Sequence, residues 1–130
     1  MRPIPTTLIL LLVSSATFAS EHDLFQYNRE MIKRGVQAVL TCNGLFTSRR
    51  NRAQVFSQEL AYMGPHIGSA TGGDYRIHED LRAVEIGTED NGPVMRAAFR
   101  EGIGCVIMAP DQGLDAIAEL PRVDIPPPRH

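Results

Sequence analysis

Hydrophobic and polar positions follow two regimes along the chain, a helical spacing before Pro65 and an alternating one after it. From Asp23 to Leu40, Leu24, Tyr27, Met31, Val36 and Val39 recur near one side of a helix, with Arg29, Glu30, Lys33 and Arg34 largely elsewhere. Asp23 is the expected N-cap. Gly35 weakens the interior, so a break is expected there, leaving "VQAVLTCNGLF" partly extended. "TSRRNRAQVFSQELAYMG" reads as a loop followed by a second helix. Asn51 caps that helix and Gln54, three residues on, completes a capping box. Val55, Leu60 and Met63 supply its apolar positions, and Gly64-Pro65 end it.

After Pro65, "HIGSATGGD" reads as a flexible connection and the next segments as strands. "YRIH" and "RAVEIG" are two strands joined at Glu79-Asp80, and "TEDNGP" is a turn, because Asn-Gly tolerates positive φ. "VMRAAFR" alternates and pairs back on "AVEIG"; Gly102 then leads into "IGCVIM", an apolar run suited to a covered strand. "DQGLDAIAELPRV" holds a turn of helix. The fold class expected is α+β: N-terminal helices packed on a small antiparallel sheet of three or four strands, whose one apolar face the helices cover.

Composition adds a compartment. "MRPIPTTLILLLVSSATFAS" has the form of a secretory signal peptide: Arg2 and the amino terminus, an apolar stretch from Leu8 to about Phe18, then small residues, with a cut after Ala19. The apolar core is shorter than the roughly 20 residues that cross a bilayer, with an uncleaved anchor as the alternative reading. The expected organisation is therefore a leader over 1–19, one small α+β region over 20–120, and a proline-rich connector over 121–130. Export to the periplasm or outside follows, with membrane contact through the signal peptide alone. Without Arg2, the 13 basic residues fall to 12 against 15 acidic ones. That balance implies no large basic face, so nucleic acid is not an expected partner. The cluster Ser48–Arg52 is expected to be a solvated loop, with an anion site as the alternative. In an oxidising compartment, the even count of Cys42 and Cys105 favours a disulfide. It closes a loop of about 60 residues and contributes about 4 kcal/mol in the chain-entropy model. Both cysteines sit in apolar contexts, so two buried thiols are the alternative.

Catalytic motifs fail on spacing. A serine–x–x–lysine pair sets the amine one helical turn from the hydroxyl it activates. Lys33 is the single lysine of the chain, and Glu30 stands three residues before it. A Gly–x–Ser–x–Gly elbow fails at Ser69, which has Ile67 two places back. A tyrosine–x–asparagine motif fails at Tyr27, Tyr62 and Tyr75. His22, His66, His78 and His130 are scattered, and His78 with Glu79 and Asp80 is the densest set of metal-ligand types. That set is expected in an exposed turn, so no metal or cofactor is implied. Pairing of Cys42 with His66 or His78 by folding keeps a small cysteine- or metal-dependent enzyme as a third reading.

Two segments together carry a resemblance. "AVLTCNGLFTSRRN" resembles the "LCS-x-VFVSGRDPE" segment of exported β-lactamase-like serine hydrolases, the class C-like group that includes 6-aminohexanoate-dimer hydrolase relatives; Cys42, Phe46, Ser48 and Arg50 match. "VMRAAFREGIGCVIM" resembles the same group's "A-x-YR-x-GLGC-x-L" segment; Arg100, Gly102, Gly104 and Cys105 match, with Phe99 for tyrosine and Ile103 for leucine. Arg49 replaces a glycine, and Asn51-Arg52-Ala53 replaces Asp-Pro-Glu. The resemblance covers roughly Val36 to Pro128. It implies an N-terminal portion of a hydrolase whose serine–x–x–lysine nucleophile lies beyond the proline-rich stretch. The partner it implies is a C-terminal catalytic domain that this chain lacks. In the complete protein, the serine is acylated by an amide or ester substrate and water releases the product. The alternative is a stand-alone periplasmic binding or interaction module without catalysis.

Overall fold

A computed structural model describes residues 1, 7–63 and 74–128, with side chains for residues 1, 23–61 and 74–128. The leader expected over residues 1–19 falls almost wholly on side chains outside this description; the Gly64-Pro65 stop and the connection "HIGSATGGD", apart from its Asp74, lie outside the described residues. Helix α1 (Thr7–Cys42) passes into a π-helical turn (Asn43–Thr47), and α2 (Arg52–Gln58) follows, extended by a 3-10 turn (Leu60–Met63). Strands β1 (Tyr75–His78), β2 (Ala83–Ile86), β3 (Met95–Arg100) and β4 (Gly104–Ile107) form an antiparallel meander in that spatial order. The fold is α+β, helices on a four-stranded sheet.

The capping box and the strand "YRIH" hold at the level of single residues, and the other three strands lie within the segments expected. β4, expected as a covered strand, is only half-buried and ends on the exposed Ile107. Asn51 Oδ1 accepts the Gln54 N–H at 2.9 Å, and Gln54 Oε1 accepts the Asn51 N–H at 3.0 Å. The segment Thr88–Pro93 turns through a short 3-10 element, Glu89–Asn91, and Leu114–Glu119 forms the helical turn expected near the end.

Two expectations for the first helix need correction. The helix continues N-terminal to Asp23, so that residue is no cap, and it does not break at Gly35 but runs on to Cys42. Glycine in a helix interior costs about 1 kcal/mol relative to alanine. Here it lies buried against β3, where an added Cβ would already stand 3.4 Å from Met95 Cε. Packing of the following turn, Ala38 and Cys42 against Val84, Ile86 and Ala97, holds the segment helical where propensity alone favours a break.

The sheet is covered on both faces, not one. Alternation puts Val84, Ile86 and Ala97 on the face under α1, and Ala83 and Ala98 on the opposite face. Met108, Leu114, Ala116, Ile117 and Leu120 fold back over Ala83 and Ala98. On the helical side, Val55, Phe56 and Leu60 bury against Leu40, Leu45 and Tyr75, with the Phe56 and Tyr75 rings edge to face at 4.8 Å. Arg34 ties the β2–β3 connection to α1, donating to the carbonyls of Pro93 at 2.7 Å and Asn91 at 2.8 Å.

Residues 121–128 have no regular secondary structure and are exposed. Their course starts at the β3–β4 turn, where the Val123 N–H donates to Glu101 O at 2.9 Å. Gly102 permits this contact twice over. Its φ of 73° is left-handed, and a Cβ there would run into the Val123 carbonyl.

Cys42 and Cys105 are bonded to each other, joining the end of α1 to the outermost strand, and the described residues hold no free cysteine. The bridge spans 63 positions. Replacing both cysteines by alanine is expected to lower unfolding free energy by about 4 kcal/mol. Urea midpoints of the oxidised chain and the double variant check this, and coincident curves would refute it.

Candidate functional site

Across three strands the register aligns Arg76, Glu85 and Arg96 in one row. Period-two alternation puts them on the face away from α1, together with His78, two residues along from Arg76. Glu85 is buried, a costly place for a carboxylate unless donors saturate it. Arg96 Nε lies 2.6 Å from Oε2, and His78 Nε2 and Arg76 Nε lie 2.9 and 3.2 Å from Oε1. Arg96 also donates to the Gln112 carbonyl at 3.0 Å, which fastens the C-terminal segment to the row. Burial pushes the Glu85 carboxyl up, but hydrogen bonds from His78, Arg96 and Arg76 outweigh it and hold the group below its ordinary 4.5. A carboxylate so saturated is a poor proton acceptor and a good electrostatic clamp.

The second feature is apolar. α2 packs against β1, and α1 crosses β2 and β3 and meets β4 at the Cys42–Cys105 bridge, so the helix side of β4 is left open only toward its Ile107 end. An open groove of about 460 Å³ runs there, lined by Met31, Ile32 and Val36 of α1, Met95 of β3, and Ile107 with Met108 at the end of β4. Ile32 and Ile107 remain 66 % and 47 % exposed in it. The size falls in the range of small-ligand sites, and methionines make its walls adaptable. With no charged side chain in its lining, it offers burial of apolar surface and no proton chemistry.

The residues singled out in the sequence are dispersed. His78 turns to Glu85, not to Glu79 and Asp80, which stand exposed in the turn. Among the described residues no three histidine, cysteine, aspartate or glutamate side chains converge as for a metal ion. His66 and His130 lie outside the described residues, and His22 lies in α1 with its side chain outside the description. Cys42 is fully buried and its sulfur is bonded to that of Cys105, which removes it as a nucleophile. In the basic cluster, Arg50 pairs with Glu59 at 2.8 Å and Arg52 stacks over Phe56 at 5.6 Å, while Arg49 is exposed with a left-handed φ of 53°. Among the described residues no helix is long and apolar enough to cross a membrane.

The Glu85 row was not foreseen, although its signal is in the sequence: the polar members of "YRIH", "AVEI" and "MRAA" fall on one face once the register is known. The groove has no such signal, since Ile107 falls in the apolar run expected to be a covered strand and Ile32 is not among the positions placed on the apolar side of the helix. No family model, curated protein or solved structure matches the chain.

The depressed Glu85 carboxyl predicts acid sensitivity with a definite sign. A carboxyl lower in the folded than in the unfolded state adds stability that is complete above about 4.5 and is lost as pH falls through the folded value. Glu85→Gln is expected to cost about 2–3 kcal/mol at neutral pH, because Arg96 loses its partner. Its disadvantage should then shrink as the pH is lowered below that value. Urea midpoints at several pH values check this, and a gap independent of pH would refute it.

Proposed function

We propose that residues 36–128 are the N-terminal, non-catalytic part of an exported serine hydrolase of the β-lactamase-like kind related to 6-aminohexanoate-dimer hydrolases. In this reading the acylating serine and its lysine lie in a catalytic domain beyond the proline-rich stretch. The residues described contribute packing and a wall for that domain. The observation that carries the reading is the meeting of the two resembling segments. Far apart in the chain, they are bonded through Cys42 and Cys105, and Asn43 Oδ1 of the first accepts the Cys105 N–H of the second at 3.3 Å.

Backbone geometry supports the same reading. Gly102 and Gly104, both matched, have φ of 73° and 95°. Arg49, which stands where the resembled segment has glycine, is left-handed too. A position built for glycine explains why an arginine sits there in an unfavourable conformation. Export to the periplasm or beyond fits the disulfide, since such bonds persist in oxidising compartments.

The groove beside β4 favours a second reading, a stand-alone exported module that binds an apolar partner. Sequencing the locus past the codon for His130 separates the two. The expected result is an open frame that continues into a serine–x–x–lysine motif. A stop codon at that point would overturn the hydrolase reading and leave the binding module.

A further inference from the structure

The chain contains two Asn-Gly pairs, Asn43-Gly44 and Asn91-Gly92, which are chemically identical as dipeptides. Such a pair can deamidate without an enzyme. The glycine backbone nitrogen attacks Cγ of the asparagine, the N–Cγ bond forms and the Cγ–Nδ2 bond breaks. The glycine N–H proton departs with Nδ2 as ammonia, leaving a succinimide. Water then opens either ring carbonyl, giving aspartate or isoaspartate. The reaction needs an acidified glycine N–H, an activated side-chain carbonyl, and a backbone free to let the two meet.

We infer that Asn91-Gly92 is a site of spontaneous covalent modification, and that its product detaches the β2–β3 connection from β1. The Asn91 carbonyl, conjugated with the Gly92 nitrogen, accepts from the Arg34 guanidinium at 2.8 Å. A cation there draws electron density from the peptide and acidifies the Gly92 N–H. The Thr88 N–H donates to Asn91 Oδ1 at 3.0 Å, polarising the carbonyl under attack. Both residues lie in an exposed turn. Asn43-Gly44 is set differently. It sits in the π-helical turn with Gly44 buried, so its backbone is not free to bring the Gly44 nitrogen onto the side-chain carbonyl carbon.

The consequence follows from a third tie. Asn91 Nδ2 donates to Asp74 Oδ2 at 2.6 Å, and Asp74 O accepts the Gly87 N–H at 3.0 Å at the head of β1. Deamidation replaces the donating nitrogen by an acceptor oxygen. Two carboxylates then face each other, with Glu89 and Asp90 adding charge of the same sign in the turn, while Arg34 points its Nη1 and Nη2 at the Pro93 and Asn91 carbonyls and its Nε toward Glu30. A hydrogen bond becomes a repulsion.

The test is to age the purified chain in mildly alkaline buffer and map peptides by mass spectrometry. Conversion, including isoaspartate, is expected at Asn91 at least about tenfold faster than at Asn43, because exposed turns open far more readily than packed helical segments. An Asn91 that stays intact, or converts no faster than Asn43, overturns the site. The structural consequence is tested separately. Asn91→Asp is expected to lower the Tm by about 5 °C. Adding Asp74→Asn, which returns a donor to the pair from the other side, is expected to recover most of that loss. An Asn91→Asp variant as stable as the parent, or a loss the second change does not recover, overturns the proposed detachment.

Discussion

The close approach of one helix to one sheet is the constraint on which the rest depends. α1 can lie over β2 and β3 because its contact positions are small: Gly35 against Met95, and Ala38 over Val84 and Ala97. Larger residues there would lift the helix and open voids along its whole length. At the end of that contact the Cys42–Cys105 bond fixes the helix to β4, the last strand added to the meander. The bridge thereby reinforces a contact between an early and a late part of the chain that the Cys105 N–H, donating to Asn43 Oδ1, also makes.

From that placement the asymmetry of the molecule follows. A sheet of four strands is wider than one helix, and α2 sits toward β1, where Phe56 meets Tyr75. β4 keeps an apolar flank with Ile32 and Ile107 open. The opposite face is treated differently: half is sealed by the returning C-terminal segment, and half carries the Arg76–Glu85–Arg96 row with His78. One side is thus a saturated polar clamp that holds the strands in register. The other is unsaturated apolar surface, the kind of surface through which a larger assembly is built. The binding-module reading rests on that surface, the hydrolase reading on the bonded meeting of the two resembling segments, and neither needs a reactive group among the residues described.

Local signals were legible in the sequence wherever near neighbours decide structure. The capping box at Asn51 and Gln54, the strand at "YRIH" and the two that flank the Thr88–Pro93 turn each rest on residues a few positions apart. Gly35 was misjudged because its cost is local while its compensation, contact with β3, lies about 60 positions away. The Glu85 row was half legible. Alternation puts each polar residue on a face, but only the register brings Arg76, Glu85 and Arg96 side by side.

The sequence by itself determined the α+β class, the strands with their order, the capped second helix, and the pairing of the two cysteines as the favoured state. Each rests on periodicity, turn chemistry or an even count, which are properties of short windows or simple tallies. Tertiary structure decided which apolar residues end up uncovered, which carboxylate is clamped, and which of two identical Asn-Gly pairs is held rigid. Those outcomes depend on what stands opposite a residue in space. A chain read along its length does not contain that information until the sheet and its helix have been brought together.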